Sequence, residues 1–402
     1  MIREDARAAV ALLRRPDAIR QRCGNILDAG LAGRLDHFDV ALGRLPAVAE
    51  CVADVTRRRY PSLDIPYHSR WRHLDAGGLR RGEAFRAAIS ALPPDEQGRA
   101  KIDLIAVSVL LDAGAGGDWR FREVQTGQTF ARSEGLAVAS FRMFEAGVFS
   151  SDPSDPWRAD ARALEELDEC RMADALQVSV DNPLVGLEGR IALLRALGRT
   201  LKDERIGSLF DALRRRARQG TLEAPAILEQ VLVALEDIWP RRAELDGVNL
   251  GDTWPHPAAG GRGPSAGLVP LHKLSQWLVY SLVEPLEEAG LVVSGLDRLT
   301  GLAEYRNGGL FVDLDVLVPR HPAVSASAHA PDSAVVVEWR ALTVALLDRL
   351  APMVAACLGL GPTELPLIRM LEGGTWAAGR EQAVARRGGA PPIRVATDGT
   401  LF

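Results

Sequence analysis

Residues 301–311 read GLAEYRNGGLF and carry an unusual pair of charges. Glu304 and Arg306 lie among apolar residues, and Gly308 and Gly309 follow at once. A carboxylate in an apolar setting holds its proton more tightly and can act as an acid. Beside a guanidinium it stays ionised and can steady a developing cation. Two residues apart, the pair points roughly 200° apart on a helix, so the two charges need not meet. The Asn-Gly-Gly after Arg306 suggests a turn where backbone comes close to something else. A buried ion pair bracing that turn accounts for the segment equally well.

Other stretches also gather chemically capable side chains. In PLHKLSQWLVYSLVEPL (270–286), His272, Gln276 and Trp277 fall close together near a helix start. The helix dipole there disfavours an imidazolium and leaves a ring that donates or accepts a hydrogen bond, although a lone helical histidine is more often structural. His256, in the preceding GDTWPHP, joins His272 and Glu304 to give two nitrogens and a carboxylate. Such a set can hold a divalent metal, but the spacing matches no metal motif. IPYHSRWRHLD (65–75) concentrates His68, Arg70, Trp71, Arg72 and His73. Its two arginines can fork onto phosphate or carboxylate while the tryptophan stacks on a planar group; the alternative is an amphipathic surface turn.

Asp112 closes the apolar run that begins near residue 103 and precedes AGAGG. It either projects into a cavity or sits at a helix end capped by Gly114. RSEGLAVAS (132–140) opens a helix at Ser133, whose first N–H groups suit an anion. The closing segment places Arg386-Arg387-Gly388-Gly389 before two prolines, a loop able to grip phosphate. Ile393, Val395, Leu401 and Phe402 argue that this tail docks. GxGxxG, Walker A, GxSxG and HExxH signatures are absent from the sequence.

These residues need elements to position them, and helical periodicity dominates. Apolar residues recur at three- and four-residue steps over 33–57, with Pro46 expected to kink or split the run. The pattern returns at 99–111, 187–201, 205–217, 223–236, 270–289 and 338–357. Asp181-Asn182-Pro183 reads as the start of one of these helices, and Pro225 lies just inside another. LFVDLDVLV (310–318) and AVVVEW (334–339) read as short strands. Two long loop-rich stretches, 112–131 and 246–267, have a length typical of functional or disordered segments, and Trp254 and His256 argue that the second is an ordered loop. The expected architecture is mainly α with one or two short β-strands: one integrated helical domain, its N-terminal portion to about residue 150 supplying binding loops and 151–402 holding the core site.

The chain has 402 residues, 47% hydrophobic and 25% charged, an ordinary globular composition with ample material for a core. A net charge of −5 gives no positive field to attract nucleic acid. The short apolar stretch near Met1 is flanked by charges, and 268–293 is interrupted by His272, Lys273, Gln276 and Glu284. Neither reads as a signal peptide or a membrane span. Cys23, Cys51, Cys170 and Cys357 show no CxxC spacing, which fits a reducing cytoplasm. The sequence assigns no oligomeric state.

HSRWRHL, VSVLLDAGAG, RSEGLAVAS, GDTWPHP, PLHKLSQWLVYSLVEPL, EYRNGGLFVDLDVL, VVEWRALTVALLDR and RRGGAPPI…DGTLF together resemble one family across essentially the whole chain. It is the fungal and bacterial uracil-catabolism family of the URC pathway, catalogued as a domain of unknown function. The resemblance implies a place in a route that degrades a uridine nucleotide to urea, beside a ring-opening enzyme resembling GTP cyclohydrolase. DNPLVGLEGRIALLRALGRTL, HKLSQWLVYSL, AEYRNGGLF and VEWRALTVALLDR are also similar in pattern to queuosine salvage glycosylases. Those proteins have a DNA-glycosylase-like helical fold, and this second likeness covers about the C-terminal two-thirds. Their xYR aspartate falls where this chain has Glu304.

Such a route needs a step that parts urea from ribose, and the expected step is hydrolysis of a ribosylurea or ribosylurea-phosphate N-glycosidic bond. Glu304 then faces the sugar cation or activates water, while Arg306 and Lys273 position it or bind substrate. His272 or Asp112 protonates the urea nitrogen. Arg70, Arg72 and Arg387 take the phosphate, and Trp254 and Glu338 frame the urea. No cofactor is needed for this scheme. The competing expectations are a metal-dependent hydrolase of a ring-opened pyrimidine nucleotide, using His256, His272 and Glu304, and a non-catalytic partner or sensor of the pathway.

Overall fold

A computed structural model describes residues 4–361 and 363–401. Phe402, one of the expected docking residues, lies outside them. Among the described residues helices dominate, and the named strands, each of two or three residues, form six two-stranded ladders. The architecture is mainly α.

The chain forms two compact units, each assembled from separated stretches. The first contains Met1–His68, Arg242–Lys273 and Gly295–Ala396; the second contains Ser69–Arg241, Leu274–Ser294 and Thr397–Phe402. Both units therefore draw on residues before and after position 150.

The first unit is built on the 25-residue helix Ala334–Leu358. Ser333 caps its start by accepting from the Val336 N–H, and Gly359 stops it in the left-handed conformation. AVVVEW is therefore the opening turns of a helix, not a strand. Its β-branched residues misled because a fully buried helix is apolar on every face and loses the 3.6-residue signature. This helix is also long and apolar enough to cross a bilayer by length and composition. Yet Glu338 and Arg340 are buried within it, and helices Pro16–Leu31 and Leu45–Arg59 pack against it. Arg20 adds a 2.7 Å ion pair to Asp348 on its far half.

Two further expectations change in this unit. Pro46 does not break a helix; it sits in the first turn of Leu45–Arg59, where its missing N–H has no partner to lose. LFVDLDVLV is the end of helix Tyr305–Asp313 followed by the strand Leu317–Pro319, which pairs antiparallel with Phe38–Val40. Consequently Asn307, Gly308 and Gly309 lie in a helix rather than a turn. The glycines serve close packing instead. A Cβ on Gly308 would meet Trp339 Nε1 and Thr343 Oγ1 at 2.7 Å, and one on Gly309 would meet Pro392 at 3.2 Å.

The second unit carries helices Pro94–Leu110, Arg132–Glu145, Leu187–Leu201 and Ala224–Ala234, with most of Lys273–Glu288. Leu187–Leu201 and the position of Pro225 match the periodicity. The start of Leu187–Leu201 is set by Gly186 in the left-handed conformation, not by Asp181-Asn182-Pro183. Asn182 instead bonds the Arg120 and Gln177 backbone. The 112–131 stretch contains the hairpin Arg120–Arg122 with Thr129–Ala131, which runs into the helix carrying Ser133. The tail docks as expected: Ile393 and Leu401 are buried, and a Cβ on Gly186 would lie 2.5 Å from Gly399.

Gly379, in helix Trp376–Arg387, faces the Arg306 carbonyl so closely that a Cβ would sit 2.2 Å from it. Gly379→Ala should destabilise the protein by about 1–3 kcal/mol in denaturant unfolding, the typical cost of overpacking. Gly24, in helix Pro16–Leu31, has open space at its Cβ position. Gly24→Ala should stabilise by up to about 1 kcal/mol through helix propensity.

Candidate functional site

The most tightly determined carboxylate of the first unit is Asp252, between the strands Val248–Asn249 and Thr253–Pro255. Its Oδ1 accepts from Trp254 Nε1 at 2.6 Å and Arg340 Nη1 at 2.7 Å. Its Oδ2 accepts from Arg340 Nη2 at 2.7 Å and the Lys273 N–H at 2.8 Å. Its carbonyl receives the Leu271 and His272 N–H groups. Burial alone would raise this acid's pKa, but the forked guanidinium and the other donors hold it well below the usual carboxylate range. Asp252 is ionised and fixes where helix Lys273–Glu288 begins.

Glu304 occupies a contrasting position. It caps helix Tyr305–Asp313, with Oε2 accepting from the Arg306 N–H at 2.7 Å and Oε1 from the Asn307 N–H at 2.5 Å. Burial raises its pKa, and the two backbone bonds with the charges of Lys273 and Arg306 only partly oppose that rise. Arg306 sends its Nη1 to the Gly389 carbonyl at 3.1 Å and lies over the Tyr305 ring. Glu304 is thus a helix cap with retained proton affinity. Each of its oxygens still has a lone pair beyond the backbone bond described.

Arg340 ties the two acids together, since its Nε donates to the Ala303 carbonyl, one residue before Glu304, at 3.3 Å. One unit therefore holds two buried carboxylates whose surroundings push them in opposite directions. That is the pattern by which proteins separate an ionised stabiliser from a proton-transfer group.

The remaining expected residues of this unit are already engaged. His272 places Nε2 at 3.1 Å from the Leu13 carbonyl, and burial lowers its pKa. Its Nε2–H is committed, so Nδ1 offers an acceptor near neutral pH rather than a proton. Trp254 gives its N–H to Asp252 rather than to a ligand. Glu338 Oε1 accepts from the His37 and Phe38 N–H groups, and its Oε2 lies 3.7 Å from His256 Nε2. Arg387 pairs with Asp313 at 2.7 Å. Among the described residues no group of three or more His, Cys, Asp or Glu side chains is placed to hold a metal. His256, His272 and Glu304 do not form the metal set that their residue types suggested, because each is held by a different neighbour.

The other expected residues lie in the second unit. Asp112 accepts from Ser133 Oγ at 2.7 Å and Trp277 Nε1 at 3.0 Å, and pairs with Arg70 Nη1 at 2.8 Å. Arg70 also reaches Ser108 and Ser133, while its buried Nη2 has no partner. Arg72 pairs with Glu284 at 2.7 Å. The Ser133 hydroxyl is taken up by Asp112 and His73, not left for an anion.

Four residues here escaped the sequence reading: Asp252, Arg340, Asn307 and Trp339. Asp252 and Arg340 are charges in apolar surroundings, the same signal that Glu304 and Arg306 gave. The Asn307 amide and the Trp339 indole nitrogen are buried and carry no hydrogen bond.

Comparison with known proteins places this geometry in context. A family model described as a protein of unknown function, DUF1688, matches residues 12–402. Protein urg3 of Schizosaccharomyces pombe is 38% identical over 396 residues, spanning 96% of this chain and 96% of that protein. Uracil catabolism protein 4 of Lachancea kluyveri is 37% identical over 411 residues, spanning 92% and 93% respectively.

Removing one partner of a buried pair leaves an uncompensated charge, so Asp252→Asn and Arg340→Met should each cost about 3–5 kcal/mol in denaturant unfolding. The double variant should lose less than the sum of the two. The folded Asp252 pKa lies below its unfolded value of about 3.9. Its contribution is therefore complete above that value and is lost as pH falls below it. Unfolding curves between pH 6 and 3 should weaken less for Asp252→Asn than for wild type.

Proposed function

The chain belongs to the DUF1688 family, and on that premise we propose that it acts in uracil catabolism, the role that the Lachancea kluyveri relative's name carries. The proposed reaction is hydrolysis of the N-glycosidic bond of a ribosylurea or its phosphate to urea and ribose or ribose phosphate. The observation that carries this reading is the opposed pair of buried carboxylates, Asp252 kept ionised and Glu304 kept proton-avid, joined through Arg340. The likeness to queuosine salvage glycosylases, whose xYR carboxylate falls at Glu304, points the same way.

Breaking the anomeric C–N bond leaves its electron pair on nitrogen and positive charge on the sugar. Glu304 faces that charge as a carboxylate and takes a proton from the water whose oxygen adds to the anomeric carbon. The same proton passes to the departing urea nitrogen, so the step balances as substrate plus water. Proton transfer by one positioned carboxylate is worth about 10²–10⁴-fold. Arg306 and Lys273 hold Glu304 in place, and Asp252 with Arg340 holds Lys273. His272 contributes an acceptor nitrogen.

The substrate is a small ribosyl compound. Arg70, Arg72 and Arg387, the candidates for gripping a phosphate, each already have a carboxylate partner. That favours recognition through the ribosylurea itself. The metal-hydrolase reading has no comparable support, because its three ligands are not grouped. Four free cysteines suit a cytoplasmic site of action.

Purified protein should release urea from ribosylurea or its 5-phosphate, and Glu304→Gln should lose at least a hundredfold in kcat. Absence of urea with wild type, or undiminished release by the variant, contradicts the proposal. Because the carboxylate form is the active one, kcat/KM should fall as pH drops through the Glu304 pKa. That acid limb should lie above the ordinary glutamate value of about 4.3.

A further inference from the structure

Among the described residues of the first unit, five buried polar atoms have no hydrogen-bond partner: Arg22 Nε, Thr375 Oγ1 and, on two neighbouring side chains, Asn307 Nδ2, Asn307 Oδ1 and Trp339 Nε1. These two neighbours are essentially without solvent exposure, Asn307 at 0% and Trp339 at 1%. Leaving such atoms unpaired costs about 1–3 kcal/mol each, and buried polar groups in folded proteins are overwhelmingly satisfied. Their positions are linked. The indole nitrogen presses on Gly308, the residue after Asn307, so closely that a Cβ there would stand 2.7 Å away. The Asn307 N–H in turn donates to Glu304 Oε1 at 2.5 Å. One helical turn thus carries the carboxylate proposed for catalysis, an unused amide and, against it, an unused N–H donor.

We infer that Asn307 and Trp339 form the subsite for the planar urea end of the substrate. The inference rests on the reading of the reaction given above. A carboxamide presents one acceptor and a two-hydrogen donor in a plane. A ureido group presents the complementary N–H and C=O in its own plane, so the two pair edge to edge through a donor and an acceptor. The Trp339 N–H supplies a further donor for the urea oxygen. Trp254 and Glu338, the residues expected for this task, are committed to Asp252 and to the His37–Phe38 backbone. Asn307 and Trp339 hold the unspent hydrogen-bonding capacity beside Glu304. Contacts to the leaving group also favour departure, because the urea oxygen gains negative charge as the C–N bond breaks.

A structural role and a binding role predict opposite behaviour for Asn307→Leu. This nearly isosteric change removes an unpaired buried amide, so the folded protein should be as stable as wild type or more so. The KM for ribosylurea and the Kd for free urea should both rise about tenfold to a hundredfold, the worth of one or two hydrogen bonds, with kcat falling less. Trp339→Phe should move both constants in the same direction by a smaller factor. Asn307→Asp, which keeps the shape but loses the donors, provides the second variant should Asn307→Leu fold poorly, and it should weaken urea binding likewise. Unchanged KM and Kd in a folded variant overturn the subsite while leaving the reaction standing. Failure of wild type to release urea, with urea binding that still depends on Asn307, overturns the reaction and retains the subsite.

Discussion

A forked ion pair between Asp252 and Arg340 organises the first unit. Its two bonds of 2.7 Å lie almost wholly out of solvent, at the meeting of a loop and the longest helix. A buried pair of this kind is weak evidence for stability, since desolvation cancels much of the attraction. Its value here is positional. The carboxylate orders Trp254, receives the N–H that starts helix Lys273–Glu288, and accepts two backbone donors at its own carbonyl. The guanidinium Nε also donates to the Ala303 carbonyl, which fixes the approach to Glu304. Loop, helix start and cap are determined together.

The consequence for Glu304 is electrostatic. Arg340 is engaged by Asp252 in the forked ion pair. Burial then outweighs the two backbone bonds and the charges of Lys273 and Arg306. A carboxylate that received Arg340 directly would lose its proton affinity, as Asp252 has. Two acids within one unit therefore take different roles because one of them holds the arginine. The glycines that follow serve the same arrangement: a larger residue at 308 would strike the Trp339 indole, and the helix bearing Glu304 would have to move.

Much of the fold was legible because amphipathic helices such as Leu187–Leu201 print their period in the sequence. Legibility failed where burial is complete. AVVVEW carries no polar face to reveal a helix, so its β-branched residues argued wrongly for a strand. Pro46 was readable as a helix start only with knowledge that strand Phe38–Val40 ends the preceding segment. At the site, Glu304 stood out as a charge in an apolar run. Arg340 in VVVEWRALTV gave the same signal, but its partner lies 88 residues away and no local spacing joins them. Asn307 gave no signal at all, because an unsatisfied amide is defined by what surrounds it. The expected partnership of His256, His272 and Glu304 failed for the converse reason: residue type suggested a shared ligand, while geometry gave each a different neighbour.

The opposition of two acids, one with its proton affinity lowered and the other with it raised, can be observed directly. Carbon-13 NMR titration of side-chain carboxyls, assigned with Asp252→Asn and Glu304→Gln, follows both groups in one sample. The account predicts that the Asp252 resonance stays in its ionised position throughout the acid range in which the fold persists, while Glu304 titrates above the ordinary glutamate value. Both resonances moving together at ordinary carboxylate values would contradict it.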